Sequence, residues 1–249
     1  MRFQDQIIAV TGGSTGIGYS AAEAFIAEGA SRVYITGRTA GTLQTAASQL
    51  GNRAVAVVAD VGTSAGRQAL KAAIEANGDR LDVLFANAGI AEFRGFAETD
   101  EALFDRVFDI NVKGVYFTIH TLLPLIRDGG SIVLTGSISG YTGMANTSVY
   151  SASKAAVRSF ARTLASDLKA RKIRVNTLSP GATLTPIFGK VSLSEAEVAG
   201  FQAMLETRAP AGRIGQPEEI ADAALFLASS GASYINGVEL SVDGGLAQV

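Results

Sequence analysis

The sequence contains no cysteine and only one histidine, His120, among its 249 residues. Without cysteine, the chain cannot form a disulfide, a thiolate zinc site, an iron–sulfur cluster or a cysteine nucleophile. With one histidine it cannot supply a two-histidine metal site, and a Ser-His-Asp triad would have to use His120. Because residues 117–126 are largely apolar and helical in pattern, we expect His120 to be a packing residue. The sequence therefore predicts no metal site and argues against most hydrolytic chemistry.

A basic surplus and a long apolar run are also missing. Lys and Arg number 21 and Asp and Glu number 23, so the formal net charge of −2 argues against a nucleic-acid partner. No apolar run approaches the roughly 18 residues that span a bilayer. Residues 1–13 include Asp5 and only a short apolar stretch, unlike an export signal. We therefore expect a cytoplasmic protein without a membrane segment, and the lack of cysteine is compatible with a reducing compartment.

Short apolar runs alternate with segments of helical periodicity. The runs lie at residues 7–11, 32–36, 54–59, 83–86, 131–135, 174–178 and 238–242, and the helical segments at 21–28, 65–76, 101–126, 151–170 and 218–228. Continuous apolar runs are typical of strands buried on both faces of a parallel sheet. The 28 glycines are spread along the chain and form no linker, so we expect one domain over residues 1–249. The alternation predicts a doubly wound, Rossmann-type α/β fold of about seven strands, with a barrel as the alternative.

A glycine-rich turn separates the first strand from the first helix. It reads Thr11-Gly12-Gly13-Ser14-Thr15-Gly16-Ile17-Gly18. Glycines permit a tight turn in which backbone N–H groups approach a pyrophosphate, and the positive end of the helix dipole favours that charge. Such a turn can also serve only to pack a helix on a strand, but its place between strand and helix favours dinucleotide binding and a Rossmann-type sheet over a barrel. No Lys-Ser or Lys-Thr follows the last glycine, which argues against a Walker-type site.

The end of the second strand indicates which dinucleotide is bound. Sites that prefer NAD usually place a carboxylate there to bind the ribose hydroxyls. This sequence reads Thr36-Gly37-Arg38-Thr39 and has no carboxylate. A guanidinium at Arg38 would instead meet a 2′-phosphate, which favours NADP. Arg38 could alternatively be a solvated charge at a strand end.

Tyr150 and Lys154 are four residues apart in a helical segment, so they share one face. A tyrosine has an ordinary pKa of about 10, and an adjacent cation is expected to draw that pKa toward neutrality. Ser137 follows the run at 131–135 and would face the same crevice at the carboxyl ends of the strands. A surface Tyr-Lys pair and a solvated loop serine are the alternatives when each is considered alone.

With these motifs in order, the chain resembles the classical short-chain dehydrogenase/reductase family over essentially its whole length. The resemblance implies a catalytic set of Asn111, Ser137, Tyr150 and Lys154. It implies cofactor contacts from Gly12, Ser14, Thr15, Gly16, Ile17, Gly18, Arg38, Thr39, Asp60, Val61, Asn87, Ala88, Gly89, Tyr150, Lys154, Pro180, Gly181, Thr183 and Thr185. Gly136 is a departure, because many members carry a second serine there.

The resemblance also implies a reaction and an assembly. NADP(H) would exchange a hydride with a ketone or secondary alcohol, while Tyr150 transfers a proton and Ser137 hydrogen-bonds the same oxygen. Lys154 would lower the pKa of Tyr150 and bind the nicotinamide ribose, and Asn111 would support a proton-carrying water. The family further suggests a homotetramer in which segments 101–126 and 151–170 pack against partner copies. A narrower likeness is to bacterial NADPH-dependent secondary-alcohol dehydrogenases that reduce ketones.

The substrate is the least determined feature of the sequence. A segment without a diagnostic pattern, at about 184–210, is the expected substrate loop, and the expected substrate contacts are Ser137, Ile90, Tyr141, Met144, Phe188 and Leu205. Most of these side chains are apolar, which favours a small or medium hydrophobic ketone over a sugar or a carrier-bound acyl chain. A 3-oxoacyl-thioester reductase is one alternative, although Lys113, Arg158 and Arg162 form no obvious cationic cluster for an acidic carrier. A non-catalytic NADP-binding regulator is the other, although such a role needs no Tyr-Lys pair.

Overall fold

Seven strands form one parallel sheet in this computed structural model, which describes residues 1–185 and 195–249. The strands are β1 (Ile7–Val10), β2 (Arg32–Gly37), β3 (Ala54–Val58), β4 (Leu81–Ala86), β5 (Ile126–Thr135), β6 (Arg174–Pro180) and β7 (Glu239–Val242). Their order is β3-β2-β1-β4-β5-β6-β7. The strand order reverses at β1, which pairs with β2 on one side and β4 on the other. A crevice at the carboxyl ends of β1 and β4 is the place where such sheets bind ligands.

The helices cover both faces of the sheet. They are α1 (Gly16–Ala27), α2 (Ala40–Leu50), α3 (Ser64–Ala76), α4 (Glu101–Phe108), α5 (Val115–Leu122), α6 (Ser148–Asp167), α7 (Glu195–Arg208) and α8 (Pro217–Ala228). Ile8 and Val10 of β1 belong to the core shared with α1, α2 and α8, whereas Ala9 belongs to the core shared with α3, α5 and α6. Adjacent residues of a strand point to opposite faces, so a strand between two cores is apolar throughout. The predicted doubly wound fold is thereby confirmed.

The single helix predicted for residues 101–126 is wrong. Two helices, α4 and α5, are separated by a π-helical turn at Asp109–Gly114, and Ile126 is the first residue of β5. Ile126 is fully buried, so the apolar helical pattern continued into a strand without a visible break. Helices α2 and α7 are absent from the prediction, and α6 begins at Ser148, three residues before the predicted start.

The expected packing role of His120 is also wrong. The α5 residues Val115, Ile119 and Leu122 are buried and define the inner face of this helix, which leaves His120 exposed. Its ring lies edge-on to that of Phe117, with 6.0 Å between the ring centroids. In the part of the chain that the structure describes, no helix combines the length and apolarity needed to cross a membrane.

Candidate active site

The glycine-rich turn brings the backbone of β1 close to the loop after β4. Gly12 and Gly16 have φ angles of +66° and +55°, which side chains disfavour. A Cβ atom at Gly18 would lie 2.2 Å from the carbonyl oxygen of Gly12, and one at Gly12 would lie 3.0 Å from Cα of Ala88. Thr15 precedes α1 and makes no side-chain capping bond to it. The turn therefore presents backbone and the positive end of α1, which suits a pyrophosphate.

Hydrogen bonds join the loops after β1, β4 and β5. Thr11 Oγ1 accepts bonds of 3.0 Å from the backbone N–H groups of both Asn87 and Ala88. Asn87 Nδ2 donates to the carbonyl oxygens of Thr11 and Gly12, and Thr135 Oγ1 donates to Asn87 Oδ1 at 3.3 Å. Thr11, which follows β1, was predicted only as the first residue of the glycine-rich turn, and Thr135, the last residue of β5, was not predicted. These contacts fix the floor of the crevice in which the sequence predicts a dinucleotide to bind.

The remaining expected cofactor residues also lie at the carboxyl ends of the strands. Arg38 and Thr39 follow β2 and are exposed, and Asp60 and Val61 follow β3. A buried guanidinium, that of Arg67, donates to the carbonyl oxygen of Val61 at 2.6 Å. Pro180 is the last residue of β6, and Gly181, Thr183 and Thr185 follow it along the same edge, where the N–H of Gly181 bonds to β7. Together with the glycine-rich turn and the loop after β4, the fold thus gathers five separate parts of the sequence at this edge.

Tyr150 and Lys154 lie in the first two turns of α6, and Ser137 follows β5. The ammonium of Lys154 is 5.8 Å from the centre of the Tyr150 ring and donates to the carbonyl oxygen of Thr135 at 2.9 Å. The Ser137 side chain lies near the Tyr150 hydroxyl, where it acts to lower the pKa of that group. The ring of Phe93 packs edge-on against Tyr150 at 5.5 Å. Two hydroxyls and an ammonium therefore converge at one point of the crevice.

Asn111 lies in the π-helical turn and is completely buried. Its side chain accepts from the N–H of Ile90 and donates to the carbonyl oxygen of Ile90, each at 2.9 Å. Its Nδ2 also lies 3.1 Å from Ser153 Oγ, which in turn donates to the carbonyl oxygen of Tyr150. A π turn places an extra residue in a helix and is frequent at functional sites. Asn111 thus links the loop after β4 to α6, and Ser153 is a linking residue that the sequence did not reveal.

Burial changes the acid–base properties of this cluster. Burial raises the pKa of Tyr150, and the nearby Ser137 side chain only partly offsets that rise. Burial also lowers the pKa of Lys154 to about 8. The expectation that Lys154 draws the pKa of Tyr150 toward neutrality is therefore wrong for the cofactor-free protein, because burial is the largest cause of the shift and raises this pKa. At neutral pH Tyr150 carries its proton and is ready to act as an acid.

The expected substrate residues are only partly brought together. Ile90 is held next to Asn111, and Met144 is partly buried. Leu205 in α7 is 93% buried, since only 7% of its surface is exposed. The Tyr141 hydroxyl, expected to face the substrate, instead bonds Ser241 Oγ at 2.7 Å. Phe188 lies outside the residues that the structure describes.

Gly136 is explained by its neighbours. A Cβ atom there would lie 2.6 Å from Ser179 Oγ and 2.7 Å from Thr177 Cγ2. The side chains of β6 therefore fill the space that a serine would need. Ser137 keeps its place because the N–H of Gly136 bonds to the carbonyl oxygen of Leu178 at 2.7 Å.

Comparisons with known proteins identify relatives over the full length. A family model described as "Enoyl-(Acyl carrier protein) reductase" matches residues 12–247. The oxidoreductase asL5 of Sarocladium schorii is 43% identical over 250 residues, covering 100% of this chain and 98% of that protein. The L-sorbose reductase of Gluconobacter frateurii, solved with NADPH and L-sorbose, superposes with a TM-score of 0.92 at 30% identity and covers 100% and 99% of the two chains. The 3-ketoacyl-(acyl-carrier-protein) reductase of Brucella melitensis, solved with NADH, has a TM-score of 0.88 at 32% identity, covering 98% and 99%.

Proposed function

Because the chain belongs to the classical short-chain dehydrogenase/reductase family, we propose that it is an NADP-dependent oxidoreductase that reduces a ketone to a secondary alcohol and catalyses the reverse oxidation. The observation that carries this proposal is the convergence of the Ser137 and Tyr150 hydroxyls beside the Lys154 ammonium. A purely binding protein has no need for a buried ammonium next to a partly buried phenol. The alternative of a non-catalytic NADP-binding regulator therefore receives no support from this geometry.

The residues at the carboxyl edge of the sheet fit a nicotinamide dinucleotide. At Gly12 and Gly18 a side chain would collide with backbone, so the chain reserves this turn for close approach. The pyrophosphate would bind at the amino end of α1, and the adenine beside Asp60 and Val61. A Cβ atom at Gly89 would lie 3.4 Å from Lys154 Nζ, so glycine keeps the path to the ammonium open for the nicotinamide ribose. When bound, the nicotinamide supplies or accepts the hydride.

The protein's own groups handle the proton and the developing charge. Tyr150, protonated at neutral pH, donates its proton to the carbonyl oxygen as that oxygen becomes an alkoxide. Ser137 donates a hydrogen bond to the same oxygen, and the Lys154 cation stabilises the phenolate that Tyr150 leaves behind. Asn111 holds Ile90 and Ser153 in place, and its support of a proton-carrying water is part of the proposal. A raised pKa at Tyr150 favours carbonyl reduction near neutrality.

The preference for NADP is proposed from Arg38. This guanidinium is exposed at the end of β2, and the ion pairs of the described residues do not include it. It is therefore available to pair with a 2′-phosphate. The solved relatives include one with NADPH and another with NADH, so the preference for NADP is argued from Arg38.

We expect Gly37→Asp to shift the preference toward NAD. A Cβ atom at Gly37 would lie 3.1 Å from Ser14 Oγ, a side chain that can rotate, so the variant is expected to fold. The added carboxylate repels the 2′-phosphate and accepts ribose hydroxyls, and the ratio of kcat/KM for NADPH over NADH should fall by about 10- to 100-fold, which corresponds to about 1.4–2.8 kcal/mol. Gly37→Ala adds the same Cβ without charge and should leave the ratio nearly unchanged. Equal efficiency of the unaltered enzyme with both cofactors would refute the NADP proposal.

The proposed substrate is a small or medium hydrophobic ketone or keto ester. Tyr141 was the polar side chain expected beside Ser137 in the pocket, and its hydroxyl bonds Ser241, so it adds no free donor for a polyol. Sugar sites need several converging polar groups, because each unpaired buried polar group costs about 1–3 kcal/mol. A 3-oxoacyl thioester stays the second candidate, since the matching family model and one solved relative carry acyl-carrier-protein reductase descriptions.

A substrate panel separates these candidates. We expect kcat/KM with NADPH to be highest for aryl or alkyl ketones and keto esters, lower for acetoacetyl-CoA and lowest for L-sorbose. The measurement is the initial rate of NADPH absorbance loss at matched concentrations. A thioester or a ketose that is turned over orders of magnitude more efficiently than every ketone would require the substrate proposal to be abandoned.

We also propose a homotetramer built through α4, α5 and α6. The aromatic side chains Phe104, Tyr116 and Phe117 are 40–45% exposed on α4 and α5, and the ring of Phe160 from α6 lies 5.3 Å from that of Tyr116. Burying such a surface against a second copy is favourable. Light scattering at micromolar concentration should report four chains, and Tyr116→Asp combined with Phe117→Asp should reduce that mass. A monomeric unaltered protein would contradict this assembly.

A further inference from the structure

A partly buried ion pair connects the edge strand β7 to the helix that carries Tyr150 and Lys154. Arg158 lies one helical turn after Lys154 on the same face of α6, and its Nε forms an ion pair with Glu239 Oε2. Glu239 is the first residue of β7, and its side chain is only 11% exposed. Ser179 Oγ on β6 donates to the other carboxylate oxygen, Oε1, at 2.7 Å. The Glu239 carboxylate thus pairs with the Arg158 cation and accepts a hydrogen bond from Ser179.

Arg158 and a second residue of β7, Ser241, both contact Tyr141. The Arg158 guanidinium lies over the Tyr141 ring, 5.7 Å from its centre, and the Tyr141 hydroxyl bonds Ser241 Oγ at 2.7 Å. Glu239 and Ser241 are two residues apart on β7 and therefore share one face of the sheet. Strand β7 consequently fixes Tyr141 twice, through the ion pair to Arg158 and through Ser241.

This network touches both flanks of Ser137. On the preceding side, the Ser179 side chain occupies the space beside Gly136, since a Cβ atom at Gly136 would lie 2.6 Å from Ser179 Oγ. On the following side, Tyr141 comes directly after the short turn Ile138–Gly140. Ser137 itself is held separately, since its Oγ accepts from the N–H of Ser139 at 3.2 Å. These contacts therefore hold the residues on either side of Ser137 and do not contact the Ser137 hydroxyl.

We propose that Arg158, Glu239, Ser179 and Ser241 form a positioning network that holds Tyr141 as a wall of the substrate pocket. The proposal rests on the proposed ketone reduction. It assigns to the edge strand β7 a role in substrate affinity, although this strand lies at the end of the sheet, two strands beyond β5. Because the network acts through Tyr141 and not through the proton donor, it should affect KM more than kcat.

The test uses variants that weaken the network while keeping its shape. Glu239→Gln removes the charge but keeps an acceptor for Ser179, and Tyr141→Phe removes the bond to Ser241 but keeps the ring. We expect each to raise KM for the best ketone of the panel about tenfold, with kcat changed less than about threefold and Kd for NADPH within about twofold. In the double variant the two effects should not add, because both act on one unit.

A matched control comes from a second ion pair. It joins Arg32, the first residue of β2, to Asp79, which follows α3, and it lies on the other side of β1 from β7. The side chains of Arg32 and Asp79 are 36% and 11% exposed, nearly the same as the 33% and 11% of Arg158 and Glu239. Asp79→Asn should lower the melting temperature by an amount comparable with Glu239→Gln but leave KM unchanged. A KM that stays within twofold in folded Glu239→Gln and Tyr141→Phe, or that rises equally in Asp79→Asn, overturns the proposal.

Hydrogen exchange makes the test independent of turnover. In the protein with NADPH bound, backbone amides of residues 138–145 should exchange about tenfold faster in Glu239→Gln than in the unaltered protein or in Asp79→Asn. Unchanged exchange in this segment overturns the positioning network even if ketone reduction is confirmed. If no carbonyl compound is reduced while the exchange effect is present, the proposed function fails and the network stands as the support of Tyr141.

Discussion

Replacing Tyr150 with phenylalanine is expected to lower kcat by about 10²–10⁴-fold, the usual contribution of a positioned general acid. The substitution removes only the hydroxyl, so the ring keeps its edge-on contact with Phe93 and its place beside Lys154. Kd for NADPH should therefore stay within about threefold, as measured by fluorescence titration. The separation of turnover from cofactor binding is what identifies Tyr150 as the proton donor.

Tyr116→Phe provides a control for this variant, because Tyr116 is a partly exposed tyrosine on α5. It should leave kcat within about twofold. Turnover of Tyr150→Phe within tenfold of the unaltered enzyme would show that another group supplies the proton. His120, the single histidine, is exposed beside Phe117 and would then be tested by His120→Gln.

Replacing Lys154 with methionine is expected to abolish most activity and, at the same time, to stabilise the cofactor-free protein. Lys154 is 5% exposed, and burial lowers its pKa from 10.5 to about 8. Below pH 8 this lysine is charged in both the folded and the unfolded protein, so the full cost of burying the charge opposes folding. Methionine removes that cost, and the free energy of unfolding at pH 7 should rise by about 1–2 kcal/mol after loss of the bond to Thr135 is included.

The pH dependence of that gain has a definite sign. Between pH 8 and pH 10.5 the unfolded protein binds a proton at Lys154 that the folded protein does not, so the unaltered protein becomes more stable as pH rises. The advantage of Lys154→Met should therefore be largest below pH 8 and should vanish above pH 10.5. Lys154→Arg keeps the charge and should show no stabilisation. A Lys154→Met protein that unfolds more readily at pH 7 would contradict this account, and urea titrations measure the difference.

The layers of the fold could be predicted because a strand buried on both faces is a continuous apolar run in the sequence. Strands such as β1 are apolar at every position, and turns such as Gly12 to Gly18 follow from backbone geometry. The junction of α5 and β5 could not be predicted, because Ile126 is equally suitable for a helix core and for the first residue of a strand. The π turn around Asn111 likewise depends on contacts with Ile90 and Ser153, which lie 21 and 42 residues away.

Some contacts of the candidate site could likewise be predicted from the sequence, and others could not. Tyr150 and Lys154 share a helix, so spacing alone places them together. Arg158 and Glu239 lie on elements 81 positions apart, and no local pattern indicates their pairing. The predicted direction of the Tyr150 pKa shift was wrong for a related reason. Spacing shows that a cation is near, whereas the loss of hydration that raises this pKa depends on the whole surrounding fold.

We propose that this protein transfers a hydride from NADPH to a ketone with Tyr150 as the acid. The most direct measurement incubates the purified protein and Tyr150→Phe with NADPH and the best ketone of the panel, and quantifies NADPH consumed and secondary alcohol formed. We expect one alcohol for each NADPH with the unaltered protein and a loss of about 10²–10⁴-fold in rate with the variant. Tight NADPH binding without alcohol formation from any carbonyl compound would contradict it.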